Sequence, residues 1–423
     1  MTDNKCDIRK MKPLDALQLA AMVLVGALVP LWWRGGLWVA ILLALVSVAK
    51  LFADIRGTGR PLCNPALDRR MRAALWAAVA YVAIYAVSLL YSNNMDAGLK
   101  VLGHKAVLLI FPLCFLFTDT SYLRPAHVRA IFYALLIAVC AVFLYDVGAA
   151  VSKMLGGASL KTVTGSTFDS RHHTYAALYA LVALVFAYFE LSGRWGAMRP
   201  WHRLLLLVAV AFGILYVVLV NSRSGIIGLY VMEVLCAAHL ALSRRRRWQA
   251  LVAALLLVGF TASAEALLPG HKNRVMGTIE AGESDARVGI LKSSLKLAMQ
   301  SPVVGQGAGD YAETLGEQYA NDDRAFADKA FNAHNQYAES LLAVGVVGLL
   351  LLLGYLLLPL ACAIGRRKVF WQVLFFTGIV MFNLLFESML ERQMGMLFIG
   401  FFLALMVLIT SMDENKFCRM AKK

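Results

Sequence analysis

Long apolar runs alternate with short polar breaks along the whole chain. The first run extends from about Leu14 to Trp33, and others cover 36–53, 73–91, 99–117, 126–150 and 173–191. The second half adds 204–220, 225–242, 248–268, 338–364, 369–386 and 394–411. Each approaches the roughly 20 apolar residues that an α-helix needs to cross a bilayer. Within them Leu, Val and Ala follow one another without the period-two alternation of a barrel strand, which excludes a transmembrane β-barrel. The pattern predicts an all-α, polytopic membrane protein with about 12 transmembrane helices. Lys5, Arg9, Lys10 and Lys12 give the first run the charged start of a signal peptide. It lacks a small-x-small cleavage site and continues into Pro30-Leu-Trp-Trp-Arg34, so a retained span is expected.

The polar breaks set an orientation. Arg56, Arg60, Arg69, Arg70 and Arg72, then Arg124 and Arg129, then Arg194, Arg199 and Arg203, fall in alternate connections, as do 244–247 and Arg366, Arg367 and Lys368. Short basic loops stay on the cytoplasmic side, which assigns these connections and both termini to the cytoplasm. The connections 93–96, 151–172, 221–225 and about 269–337 are then expected outside. The resulting division is 1–268 with nine spans, 269–337 as a large outer loop, and 338–423 with three spans and a tail. Within the loop, Val288, Leu291, Leu295, Ala298 and Met299 recur at helical spacing, with Lys292 and Lys296 on another face. That predicts an amphipathic helix at the membrane surface, stopped by Pro302 and followed by the turn 305–309.

Composition sharpens this picture. The 423 residues are 60% hydrophobic and 16% charged, with a mean hydropathy of +0.67, which excludes an ordinary water-soluble protein. The net charge of +15 sits largely in the cytoplasmic loops, where it sets topology and faces anionic headgroups; nucleic acid is not an expected partner. The seven cysteines show no CxxC spacing, so neither a disulfide framework nor a zinc site is implied.

A few polar residues stand where chemistry is plausible. Arg223 occupies a very short connection between two apolar helices and either binds an anion or snorkels to headgroups. Arg287 opens the amphipathic helix, a place suited to phosphate or to pairing with Asp285. His334 lies where the large loop re-enters the membrane, next to Asn335, and reads as a general base or as a surface histidine. Arg171-His172-His173 and Glu387 to Arg392 are further clusters. Adjacent histidines on a helix diverge by about 100°, so a metal is not expected. Glu387 and Glu391 are spaced to share a helix face, as an orienting carboxylate or as a partner of Arg392. The 305–309 turn lacks the Lys-Ser/Thr of a phosphate loop, so it is not a nucleotide site.

In chain order these pieces resemble the O-antigen ligases and their relatives, the O-antigen polymerases and protein O-oligosaccharyltransferases. The histidine motif of that superfamily is matched by His334-Asn335, nine residues, then Gly345-Val-Val-Gly348. Arg287-Val-Gly-Ile-Leu291, Pro302-Val-Val-Gly305-Gln-Gly307, Asn221-Ser-Arg223-Ser-Gly225 and Glu391-Arg392-Gln393-x-Gly395 complete the likeness. The resemblance implies a fold similar to the GT-C glycosyltransferases of the bacterial inner membrane, with the large loop in the periplasm. It implies transfer of O-antigen glycan from undecaprenyl pyrophosphate to a sugar hydroxyl of the lipid A-core oligosaccharide, with inversion and without ATP, metal or cofactor. His334 would be the base and Arg223, Arg287 and Arg171 would hold pyrophosphate, with Asn335, Glu387 and Glu391 in support. The same core serves a polymerase extending lipid-linked glycan. A lipid-linked glycan flippase or transporter accommodates the span count, but does not explain a large loop carrying Arg287 and His334; a scaffold explains neither arginine.

Overall fold

The computed structural model describes residues 11–58, 63–158, 172–244, 247–267, 286–322 and 331–412, and every regular element among them is helical. The helices are α1 (Pro13–Leu31), α2 (Trp33–Thr58), α3 (Arg69–Ser88), α4 (Met95–Lys105), α5 (Ile110–Phe117), α6 (Pro125–Leu155) and α7 (His173–Arg194). They continue as α8 (Pro200–Val220), α9 (Arg223–Arg244), α10 (Arg247–Leu267), α11 (Ala286–Ala298), α12 (Tyr311–Asn321), α13 (Gln336–Ala363), α14 (Arg367–Leu384) and α15 (Gln393–Ser411). Ten segments are long and apolar enough to cross a membrane, and Val252–Ala266 and Val369–Leu384 are shorter apolar helices. Together they coincide with the apolar runs of the sequence. The protein is a polytopic all-α membrane protein.

Two spans are not continuous helices. The run 99–117 is α4, a 3-10 segment Ala106–Leu109 and α5, the change falling just after Lys105. Asn94 caps α4 by accepting the Ala97 N–H at 3.0 Å. In α13, Val344 and Gly345 leave helical geometry, Gly345 with φ of 67°.

The chain forms two compact units. One comprises 1–134, 286–377 and 387–423; the other comprises 135–285 and 378–386, so the division falls inside α6 and α14. In the first unit α15 is the central helix, with every side chain from Gly395 to Thr410 buried. Phe401 meets Phe111 of α5 edge-on, ring centroids 5.2 Å apart. A polar cluster joins α1 and α2, where Lys50 pairs with Asp15 at 2.5 Å and Gln18 donates to Ser47 and Thr118 at 3.0 Å.

The expected amphipathic helix is present as α11. Ile290, Ser293, Ser294, Leu297 and Ala298 face inward, whereas Val288, Leu295 and Met299 are exposed. Packing against α12 and α13 selects this face, because the small serines allow close approach. Ser294 returns its hydroxyl to the Ile290 carbonyl at 2.8 Å.

In the second unit, α7, α8, α9 and α10 pack as neighbours. Asn221 ends α8 in the left-handed conformation, φ 53°, so only Ser222 separates it from α9. Gly225 then lets α9 start against α7, since a Cβ there would stand 2.6 Å from that of Ala177.

Candidate active site

The site in the first unit is built around the break in α13. Interrupting a helix frees carbonyls behind the break and N–H groups beyond it. The turn after α11 supplies their partners from its own backbone. Gln306 N–H donates to Leu342 O at 2.8 Å, Gly307 N–H to Ala343 O at 3.0 Å, and Val346 N–H to Pro302 O at 2.8 Å. Such contact demands glycine on both sides. A Cβ on Gly345 would lie 2.1 Å from Val303 O, and one on Gly305 would lie 2.6 Å from Ala343 O. Gly305 of the Pro302–Gly307 motif and Gly345 of the Gly345–Gly348 motif thus let the loop lie against α13.

The same turn is tied to the α3–α4 connection. Asp310 accepts the N–H groups of Asn93 and Asn94, both at 2.8 Å, while Ser88 and Ser92 accept those of Ala308 and Gly309 at 3.0 and 3.1 Å. Beyond α12, Asn335 caps α13 by accepting from Tyr337 N and Ala338 N, each at 3.0 Å. His334 precedes the cap with φ of 47°, an uncommon conformation for a non-glycine residue. Strain of this kind concentrates at functional sites.

His334 has an orienting partner in Glu387, one of the two carboxylates that the sequence offered for that part. Its Nδ1 lies 3.3 Å from Glu387 Oε2, with the histidine side chain 25% exposed and that of Glu387 3%. A carboxylate accepting Nδ1–H fixes the tautomer that leaves the Nε2 lone pair available. A buried carboxylate, an imidazole and an open approach together suit proton abstraction from a hydroxyl.

Glu387 and Glu391 do not share a helix face. α14 ends at Leu384 and they flank a tight turn containing the 3-10 segment Met389–Glu391, so they reach different partners. Glu391 pairs with Lys105 of α4 rather than with Arg392, and it also accepts from Gln336 Nε2 at 3.1 Å and Tyr311 Oη at 3.4 Å. Burial pushes the Tyr311 phenol well above its ordinary range, which keeps it a neutral donor. Within the turn, Ser388 donates to Glu339 at 3.1 Å, and Glu339 also accepts Ala333 N–H at 2.7 Å. Gln336 Oε1 accepts Leu390 N–H at 2.6 Å.

Lys105, Tyr311, Gln336 and Glu339 belong to this cluster and were not singled out in the sequence. A lysine inside the apolar run 99–117 was the available signal, because intramembrane charge is costly and needs a named partner.

The remaining candidates are dispersed. Arg287 is half-buried in the first turn of α11, in the same unit as His334. Arg223 is the half-buried first residue of α9 in the second unit, and Arg171 lies outside the described residues. His172 precedes α7 instead of lying within it, so its ring stacks on that of His173 at 5.4 Å and 11°, contrary to the divergence expected on a helix.

Comparison with known proteins bears on this arrangement. Residues 207–353 match the family model described as O-antigen ligase, a segment that includes Arg223, Arg287, His334 and the Gly345–Gly348 motif. No curated protein sequence matches the chain. Residues 207–353 are thus similar to the O-antigen ligase family, and the many apolar helices make the chain a multi-pass membrane protein.

Proposed function

We propose that the protein is an O-antigen ligase, transferring glycan from undecaprenyl pyrophosphate to a sugar hydroxyl of lipid A-core at the periplasmic face of the inner membrane. The observation that carries this reading is the contact between His334 Nδ1 and Glu387. The acceptor hydroxyl gives its proton to His334 Nε2 as its oxygen attacks the anomeric carbon. The anomeric C–O bond to pyrophosphate breaks on the opposite face, and the electron pair leaves with undecaprenyl pyrophosphate. The product is therefore inverted. Arg223 and Arg287 stabilise the charge that develops on the leaving group, with Arg171 in support, and the reaction needs neither nucleotide nor metal. Asn335 holds the start of α13 beside the base, and Glu391 anchors the turn that carries Glu387.

The test uses purified protein with undecaprenyl-pyrophosphate glycan and lipid A-core, without nucleotide and with chelator. Glycosylated lipid A-core is the expected product. Exclusive formation of longer lipid-linked glycan would instead establish a polymerase. With His334→Ala, transfer is expected to fall by about 10² or more while donor remains intact.

A further inference from the structure

Lys105 is a deeply buried charge of the first unit that the proposed chemistry does not use. It is 1% exposed, inside an apolar run, at the residue where α4 gives way to a 3-10 turn. Its ammonium lies 4.6 Å from the ring centre of Tyr85 and 5.8 Å from that of Tyr81. Burying an ammonium in such a place is expensive, and aromatic faces offset only part of the cost. Its acceptors are consecutive residues, the Leu390 carbonyl at 2.9 Å and the Glu391 carboxylate.

Those acceptors end a short rigid turn. Met389 N–H donates to Glu387 O at 2.9 Å, and Glu391 N–H donates to Ser388 O at 3.1 Å. Met389 and Leu390 are fully buried. The other end of the turn is Glu387, which holds His334 Nδ1. A displacement at Leu390 is therefore carried to Glu387 and from there to the imidazole.

We infer that Lys105 is a positioning residue for His334: its ammonium clamps the Glu387–Glu391 turn and so fixes the carboxylate that orients the imidazole. The consequence for catalysis rests on the proposed role of His334 as base. The competing explanation is that Lys105 only balances the charge of Glu391.

The double variant Lys105→Met/Glu391→Gln separates the two, since it removes the clamp without leaving an unpaired charge. If Lys105 only balances charge, the double variant performs no worse than Glu391→Gln alone. Positioning predicts a fall in kcat of about 10-fold to 10²-fold below that single variant, as for a small misplacement of a catalytic group, with the KM for donor unchanged. A second readout is independent of activity. In protein labelled with 15N-histidine, the His334 signal is identified by its loss in His334→Ala. The double variant is expected to lower the Nδ1–H tautomer population, as Glu387→Ala does. Lys105→Gln/Glu391→Gln, equally free of the charge pair, is judged by the same criteria if the first double variant does not fold. A folded double variant with the kcat of Glu391→Gln alone and an unchanged His334 signal overturns the proposal. If His334→Ala itself transfers glycan at the wild-type rate, the base assignment falls, yet the tautomer signal still decides whether Lys105 sets the imidazole.

Discussion

His334 combines an unusual backbone conformation, a carboxylate partner and partial exposure. No one of these makes a base, but together they hold a proton acceptor at one orientation. Replacing Glu387 by Gln retains an acceptor for Nδ1–H and loses the charge that stabilises the imidazolium formed during transfer. A drop in kcat of about 10-fold to 10²-fold is expected, smaller than the drop for His334→Ala, and steady-state kinetics on one donor preparation compares the two. Arg223→Lys probes the other half of the proposed chemistry. A point charge does not replace the planar fork on a pyrophosphate, so a loss of about 10² in rate is expected, and full activity would return Arg223 to a headgroup role. At this scale the sequence was only partly legible. His334 and the arginines were conspicuous as polar residues beside apolar runs. Glu387 was visible, but its spacing from Glu391 suggested a helix where the chain makes a turn. Lys105 and Glu339 were hidden inside apolar runs, and only tertiary pairing explains them.

The elements around the site are held by backbone contacts together with short charged links. Gly345→Ala forces a Cβ to 2.1 Å from the Val303 carbonyl at a φ of 67°. The strain is expected to cost about 1–3 kcal/mol and to loosen the loop from α13, which hydrogen exchange at Gln306, Gly307 and Val346 would report. Farther along the loop, Asp322 ends α12 by accepting from Ser293 and Lys296 of α11, both at 2.6 Å. The hydrogen bond from Lys296 is the main influence holding the Asp322 carboxyl below its ordinary value of 3.8. A depressed folded value means that the link stabilises above the ordinary carboxylate range and is lost as pH falls through the folded value. Amide exchange in α12 is therefore expected to accelerate below about pH 4 relative to neutral pH, with Asp322→Asn removing most of the difference. Element identity followed from apolar length alone, since few structures other than a helix satisfy the backbone in lipid. The breaks in the 99–117 run and in α13 left little trace, because Lys105 and Gly345 read as isolated exceptions until their partners are known.

For the whole molecule, the proposed orientation, drawn from the alternation of basic and non-basic loops, has α12 outside and the α2–α3 connection inside. Cys63 is exposed in that connection, and Glu317 is exposed on α12. With Glu317→Cys, a membrane-impermeant maleimide is expected to label position 317 in intact cells and Cys63 only after permeabilisation. The reverse pattern would invert the topology and remove the periplasmic reading of the site. Of the roughly 12 expected spans, ten among the described residues are long and apolar enough to cross, and membrane class was legible because hydropathy acts over twenty residues at a time. The discontinuous composition of the two units was not, since it depends on which helices meet across hundreds of residues.

The clasp between the glycine turn and α13 also acts as a ruler. Its bonds join backbone atoms, so the side chains of Val303 and Val304 remain exposed and are free to vary, while chain length is not. Eight helical residues, 336–343, separate the capped end of α13 from the fixed break. One alanine inserted among them would turn His334 by about 100° about the helix axis and advance it by about 1.5 Å, away from Glu387. The nine-residue gap between Asn335 and Gly345 is then a measured distance between a proton acceptor and its anchor, fixed in number throughout and fixed in kind where Gln336 and Glu339 bind the 387–391 turn.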